Sequence, residues 1–324
     1  MNTTILPKKK ISLYSKYEKK SFLFCYLMVL FPVVQFAVFW VGVNTSSIML
    51  AFQDGAGAFT FDNIGAVFRA FSATGVDKYG NNLGNSMGHS LVIWLVSNGI
   101  TFPISIVTTY VLFQRIHGHY FFRVCYVIPN LMGSIMFVSL IQYMVNFDGA
   151  ITWFVKLIGV ELPEEALRNG LFGSAETAFP TLIVINLVMG LVGNNAVLTG
   201  AFSRLPEELY ESAELDGAGF WTVCFKIAIP CVWTTISMSL TFALCGVLTA
   251  DANVFLYSGG TGEPNMSTIG FVLYNITYQI SLTGGSPSAY GYPSALGFVL
   301  TIFTLPIVFG GRWILGKIQD AVEV

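Results

Sequence analysis

The stretch FLFCYLMVLFPVVQFAVFWVGV, residues Phe22 to Val43, contains no charged residue. An α-helix rises about 1.5 Å per residue, so a stretch of this length crosses the roughly 30 Å hydrocarbon core of a bilayer. It is too long for the core of a signal peptide, and no small-residue cleavage site follows it. We therefore predict a first membrane span here, and this span directs how the rest of the chain is interpreted.

The composition of the whole chain agrees with a membrane protein. Its 324 residues are 54% hydrophobic and only 10% charged, with a formal net charge of −2. Soluble domains carry about 25% charged residues, so this chain has too little charge to cover a surface that faces water. It is also too apolar to be disordered, and too close to neutral to bind nucleic acid through phosphate attraction.

Five further apolar stretches have the length of a membrane span. They are Leu91 to Phe113, Val124 to Val145, Thr181 to Phe202, Val232 to Thr249 and Ala295 to Leu315. The predicted fold is therefore an all-α polytopic membrane protein with about six transmembrane helices. We expect an N-terminal cytoplasmic segment (1–21), a membrane domain (22–315) that includes a loop at 203–231, and a C-terminal cytoplasmic tail (316–324).

The distribution of lysine and arginine predicts that both termini are cytoplasmic. In that orientation twelve basic residues, among them Lys8 to Lys10, lie on the inside, whereas only Arg69, Lys78, Lys156 and Arg168 lie outside. Cytoplasmic segments next to membrane spans carry an excess of lysine and arginine. The opposite orientation would reverse this bias.

The loop between the fourth and fifth predicted spans, residues 203–231, is called the acidic loop below. It begins SRLPEELYESAELDGAGFW, residues 203–221, and its five acids are Glu207, Glu208, Glu211, Glu214 and Asp216. At about 2.5 to 3.5 kcal/mol for each charge at a membrane centre, these acids exclude burial in lipid. Proline and acids favour a helix start at Pro206, and Gly217 favours a left-handed turn at its end.

Spacing within this helix separates two faces. Glu207, Glu211 and Glu214 form one acidic stripe, and Leu209 and Ala213 lie on an apolar face. A short helix, a glycine turn and a second short helix would form a rigid protrusion that suits docking on another protein. A solvated amphipathic loop with an interfacial helix explains the same pattern.

The acidic loop resembles the EAA loop of permease subunits of ATP-binding-cassette (ABC) importers. The family pattern is E-A-A, three residues, G, nine residues and I-x-L-P. Here Glu211-Ser212-Ala213, Gly217, Ile227 and Ile229-Pro230 match it, with Ser for the second Ala and Ile for Leu. The flanking LPEELY and LDGA resemble the carbohydrate branch of the family. Three further segments resemble family motifs in the family's order: Arg123 to Pro129, Ser258 to Pro264 with Ser267-Thr268, and Tyr290 to Ala295.

This resemblance implies that the acidic loop couples the chain to a separate ATPase. The implied coupling residues are Glu207, Glu208, Glu211, Ser212, Ala213, Asp216, Gly217, Ile227 and Pro230. It further implies a second permease subunit, two cytoplasmic ATPase subunits that bind ATP and Mg²⁺, and an extracytoplasmic solute-binding protein. The implied location is the cytoplasmic membrane of a bacterium, with no catalytic residue, metal site or cofactor in this chain.

A sugar or oligosaccharide is the implied substrate. Sugar hydroxyls need amide partners and sugar ring faces need aromatic platforms, and both should lie near the membrane midplane. The candidates by depth and chemistry are Asn194, Asn195, Asn253, Tyr257, Tyr274 and Tyr278.

Other functions stay open at this point. The segment Gly311 to Lys317 fits the start of a phosphate-binding loop, but Ile318 stands where Ser or Thr is needed. An ATP-independent transporter or channel is one alternative, and Asp251 is the only acid that adjoins the interior of a span. An importer for a non-sugar polar solute is another. A membrane enzyme would need a cluster of His, Asp or Glu at one interface, and the sequence offers none.

Overall fold

The computed structural model describes residues 16–54, 56–72, 75–114, 118–193, 195–251, 253–258 and 266–322. These residues are mostly helical, and the only β pairing among them is an isolated bridge between Gln53 and Phe59. The all-α prediction is confirmed. The chain divides into two compact units, with the boundary between Leu50 and Ala51.

The described part of the first unit is helical. A continuous apolar helical stretch, Ser21–Ala51, contains the predicted first span. It consists of the α-helix Lys16–Gln35, the π-helical stretch Phe36–Gly42 and the α-helix Val43–Ala51. Its side chains from 21 to 49 are exposed. Such a surface needs an apolar environment, as a membrane span does.

The second unit contains the remaining helices. Its α-helices are Asp62–Ala70, Leu83–Leu95, Phe102–Phe113, His119–Leu131, Ser134–Val145, Ala150–Leu157, Glu164–Asn169, Ala178–Gly193, Asn195–Phe202, Glu207–Leu215, Phe220–Val223, Ile229–Cys231, Trp233–Cys245, Val254–Tyr257, Ile269–Leu282 and Gly291–Val322. The π-helical stretches Val96–Thr101 and Cys224–Ala228 and the 3₁₀ turns Leu171–Gly173 and Pro287–Tyr290 complete the described elements.

Four helical stretches in the described residues are long and apolar enough to cross a membrane. Besides Ser21–Ala51 they are Leu83–Phe113, Ser134–Leu157 and Pro287–Asp320. A fifth candidate is the bent pair Phe220–Cys231 and Trp233–Cys245, whose two arms differ in direction by 69°. The chain is thus a multi-pass membrane protein, and the count of six stays a prediction.

Two predicted spans are interrupted in the structure. The predicted third span is divided at Met132 and Gly133, which have extended backbone conformations between two helices. Pro129 lies one turn earlier and has no N–H to donate, which weakens the helix there. The predicted fourth span consists of Ala178–Gly193 and Asn195–Phe202, with residue 194 outside the described residues.

One helix with a buried face has no counterpart among the predicted spans. Ile269–Leu282, called the platform helix below, contacts the helices Leu83–Leu95 and Gly291–Val322. Its side chains Ile269, Val272 and Ile276 belong to the hydrophobic cluster that surrounds Tyr292 and Leu296. Burial of this face stabilises a helix that is too short to span a bilayer alone.

Candidate coupling loop and aromatic platform

The first arm of the acidic loop is the helix Glu207–Leu215, called the acidic helix below. Pro206 precedes it in an extended conformation, so the helix begins at Glu207, one residue after the predicted start. At the other end Gly217 has φ +74°, and two hydrogen bonds close the turn: Ala218 N donates to Ala213 O at 2.9 Å and Gly217 N to Glu214 O at 3.0 Å. This pairing is a Schellman motif, which needs a left-handed residue such as glycine.

The apolar face of the acidic helix packs on the membrane-spanning part of the chain. Ala213 is only 5% exposed, and Leu209 is half-buried. The Tyr210 ring lies 6.0 Å from the Phe113 ring and joins the cluster around Phe202. Tyr210 thus joins the acidic helix to the hydrophobic cluster of the neighbouring helices.

The polar face carries the charge. Glu207, Glu208, Glu211, Glu214 and Asp216 are all exposed. Three of these carboxylates, from Glu207, Glu211 and Glu214, line an open groove of about 490 Å³ together with Phe113, Gln114, Ser203, Leu205 and Tyr210. Such a groove attracts cationic groups.

Tyr210 lies at the base of this groove. Its hydroxyl is buried and has no hydrogen-bond partner among the described residues. Burial is the main cause that raises the pKa of Tyr210 to about 12, so the hydroxyl stays protonated and neutral at physiological pH. The negative charge of the groove therefore comes from the glutamates alone.

The second arm of the acidic loop is the helical stretch Phe220–Cys231, called the elbow helix below. It begins after Gly219 and ends at Val232, where the chain turns by 69° into Trp233–Cys245. Ile227 and Pro230 are half-buried within it. The predicted arrangement of helix, glycine turn and helix is present.

The structure therefore brings most of the predicted coupling residues onto one protrusion. Those on the acidic helix and its turn are Glu207, Glu208, Glu211, Ser212, Ala213, Asp216 and Gly217, and all except Ala213 are exposed. Ile227 and Pro230 lie on the elbow helix instead. No group of three or more metal-binding side chains occurs within the described ranges.

A second group of predicted residues lies on the platform helix. Tyr274 and Tyr278 are one turn apart, 47% and 43% exposed, and their rings stack at 5.9 Å with an interplanar angle of 11°. The Phe255 ring meets both edge-on, at 4.6 Å and 6.1 Å. These three rings, called the aromatic platform below, present an apolar surface of the kind that binds sugar ring faces.

The other substrate candidates are placed differently. Tyr257 is buried, with its ring 5.1 Å from that of Phe172. Asn253 is exposed and adopts a left-handed conformation before the short helix Val254–Tyr257. Asn194 and the Asn195 side chain lie outside what the structure describes.

Sequence reasoning missed Phe255. Phe255 lies beside Tyr274 and Tyr278 only in the folded chain, and no local sequence pattern predicts this contact.

A set of buried hydrogen bonds, called the clamp below, holds the base of the aromatic platform. Ser90 Oγ donates to Ala250 O at 3.1 Å and accepts from Ile269 N at 3.0 Å. Thr268 Oγ1 donates to Asp251 Oδ1 at 3.1 Å and accepts from Phe271 N at 3.2 Å. The clamp thus joins the helix Leu83–Leu95 to both ends of residues 249–268, called the clamped segment below.

His89 adds a further contact to the clamp. Its Nδ1 lies 2.9 Å from Ser267 O, and because a carbonyl only accepts, Nδ1 carries the proton. Asp251 accepts a hydrogen bond from Thr268 and is therefore part of this structural network. This position gives no support to a role for Asp251 in ion coupling.

Known proteins are similar to this chain both in sequence and in fold. It is 25% identical over 252 residues to the multiple sugar-binding transport system permease protein MsmF of Streptococcus mutans, which covers 76% of this chain and 82% of that protein. It is 30% identical over 137 residues to the diacetylchitobiose uptake system permease protein NgcF of Streptomyces coelicolor, covering 41% of this chain and 36% of that protein. No family model matches the sequence.

Two further comparisons agree. The maltose/maltodextrin transport system permease protein MalF of Escherichia coli is 24% identical over 222 residues, which are 65% of this chain and 41% of MalF. The crystal structure of a bacterial ABC transporter involved in alginate import superposes with a TM-score of 0.71 at 21% identity, covering 94% of this chain and 98% of the matched chain. At that identity the superposition shows the fold.

Together the fold and the comparisons define a membrane permease. The relatives of this chain are permeases of carbohydrate ABC transport systems, and the predicted resemblance to that family is confirmed. These relatives are transport proteins and not enzymes.

Proposed function

We propose that this chain is the membrane-spanning permease subunit of an ATP-driven importer, which moves a sugar or oligosaccharide delivered by an extracytoplasmic binding protein. The acidic helix carries this proposal. Its acids are exposed while Tyr210 packs against the hydrophobic cluster around Phe202, so a force on the helix reaches the spans.

The coupling partner is a cytoplasmic ATPase. In the proposed orientation both termini and the acidic loop lie in the cytoplasm of a bacterium, and the chain resides in the inner membrane. Two ATPase subunits bind ATP and Mg²⁺, and one of them docks on the acidic helix. Closure of the two ATPase subunits then shifts the equilibrium of the spans between inward-open and outward-open states.

The transport path is shared with a second permease subunit. The alginate importer has been crystallised in complex with a periplasmic protein that holds an alginate pentasaccharide, and a solute-binding protein of this kind would deliver substrate here. Tyr274 and Tyr278 contact the sugar ring, and Asn194, Asn195, Asn253 and Tyr257 are further candidates.

Reconstitution tests this function. The chain is purified with its copurifying subunits, inserted into vesicles, and tested with a panel of labelled oligosaccharides in the presence of the binding protein. We expect uptake that requires ATP and a sugar-dependent increase in ATP hydrolysis. Uptake by this chain alone, without nucleotide or an ATPase, would contradict the proposal and favour the ATP-independent carrier.

A further inference from the structure

The elbow helix has one buried face and one exposed face of unusual composition. Val223, Cys224 and Ala228 are buried against the core. On the opposite side Trp221 and Phe225 are 56% and 55% exposed, and their rings stack at 6.0 Å with an interplanar angle of 21°. Two large aromatic side chains side by side on a surface indicate a contact surface.

A cation accompanies these rings. Lys226 follows Phe225 directly and is exposed. Among the residues that the structure describes, no carboxylate lies within ion-pair distance of its ammonium group, and the single ion pair found there joins Arg168 to Glu164. The exposed face of the elbow helix therefore combines aromatic area with an uncompensated positive charge.

The direction of the elbow helix places this face near the membrane surface. The helix continues through a 69° bend into Trp233–Cys245, which lies within the predicted fifth span, Val232 to Thr249. Membrane-spanning helices tilt by about 20° on average, so the bend leaves the elbow helix within roughly 40° of the membrane plane. Its aromatic side chains then lie at headgroup depth, where tryptophan is enriched.

The two arms of the acidic loop differ in charge. The acidic helix carries four exposed acids and is followed directly by the exposed Asp216, whereas the elbow helix from Phe220 to Cys231 has Lys226 as its only charged residue. An anionic lipid surface repels the first arm and attracts the second. The glycine turn at Gly217 therefore separates two arms. The acidic helix extends away from lipid, and the elbow helix is suited to contact with lipid.

We propose that the exposed face of the elbow helix binds the membrane surface, with Trp221 and Phe225 in the boundary between headgroups and acyl chains and Lys226 on the phosphate of an anionic phospholipid. The occupant is lipid, because the face is covalently continuous with a membrane span and matches an anionic headgroup in charge. This contact fixes the base of the acidic loop at the membrane surface. The proposal goes beyond the importer function and does not depend on it.

Quenching of tryptophan fluorescence by brominated lipids tests the contact. The full chain is inserted into phosphatidylcholine vesicles whose acyl chains are brominated either near the carbonyl or near the methyl end. The emission of Trp221 is the difference between the parent chain and Trp221→Phe. We expect bromines near the carbonyl to remove most of this emission, and bromines near the methyl end to remove much less of it.

Two controls separate this result from a change in folding. Trp94→Phe removes a half-buried tryptophan whose Nε1 donates to Ala243 O at 2.7 Å, and its difference emission should resist both lipids. Trp221→Phe combined with Phe225→Trp moves the fluorophore one turn along the same face, so quenching near the carbonyl should return. Equal Trp221 emission with and without bromine would overturn the proposal.

The headgroup is tested separately. Brominated phosphatidylglycerol should quench Trp221 more strongly than the same fraction of brominated phosphatidylcholine, and Lys226→Gln should abolish this difference. A difference that survives Lys226→Gln overturns the anionic contact. The measurement is repeated on the chain with its copurified subunits, and protection of Trp221 from bromine in that complex would assign the face to a protein partner and overturn the lipid contact.

Discussion

The acidic loop and the clamped segment are both interruptions between membrane helices, but they are stabilised in different ways. The acidic loop is built from neighbouring residues: Pro206 precedes its first helix and Gly217 closes it through bonds to Ala213 and Glu214. The clamped segment depends on Ser90, which lies 160 residues before Ala250 and 179 before Ile269. The first interruption is thus stabilised by contacts within itself, whereas the second is fixed by a residue far away in the sequence.

The largest effect should come from charge reversal on the acidic loop. Glu211→Lys places a cation in the acidic groove, and like-charge contact with a partner surface suited to acids should lower ATP-dependent uptake by at least about tenfold. Glu211 is exposed, so the amount of chain in the membrane should not change. Glu161→Lys is the matched control, because Glu161 is an exposed acid far along the chain from the loop. Equal uptake by the two variants would contradict the coupling role.

The clamp should show the next largest effect, on stability. Ser90→Ala leaves Ala250 O and Ile269 N without their buried partner, which should lower the free energy of unfolding by about 2 kcal/mol. Denaturant unfolding of the chain in detergent measures it. Ser139→Ala is the control, since Ser139 is exposed and bonds only to Ile135 O in its own helix. A Ser90 variant as stable as the Ser139 variant would show that the clamp does not fix this region.

The aromatic platform connects the clamp to transport. Tyr274→Ala removes one of its two stacked rings, and the loss of contact with a sugar ring should raise the KM for uptake about fivefold while the maximal rate changes less. Tyr143→Ala removes an exposed tyrosine from another helix and should leave the KM unchanged. If the KM of the Tyr274 variant equals that of the parent, the platform does not bind substrate.

The smallest effect distinguishes two glycines of the acidic loop. Gly217 has φ +74° and Gly219 has φ −72°, and both have open space where a Cβ would lie. Gly217→Ala should therefore cost about 1 kcal/mol of stability through backbone strain alone. Gly219→Ala should cost nothing, because its backbone already suits alanine. The same unfolding measurement compares the two, and equal costs would refute the explanation by strain.

The difference between local and distant contacts also explains which features the sequence predicts correctly. The acidic helix is predicted with its start, its end and both faces, because proline, acids and glycine act on residues within one turn of themselves. The first span is found for a similar reason, since its apolar run is uninterrupted from Phe22 to Val43. Local signals are sufficient where the structure itself is local.

The remaining features depend on distant contacts. The platform helix contains Asn275, Thr277 and Gln279, so its sequence is not apolar enough to be recognised as a span. Its burial comes from the helices Leu83–Leu95 and Gly291–Val322. In the same way Phe255 lies beside Tyr274 and Tyr278, which are 19 and 23 residues further along the chain.

The elbow helix and its continuation are two helical arms that meet at the bend at Val232. The arms Phe220–Cys231 and Trp233–Cys245 are about 18 Å and about 20 Å long at 1.5 Å per residue. Because the two lengths are nearly equal, a displacement at the tip of one arm reaches the other with little gain or loss in size. In the proposed importer, the bend would turn a movement of one arm by 69° and leave its amplitude nearly the same.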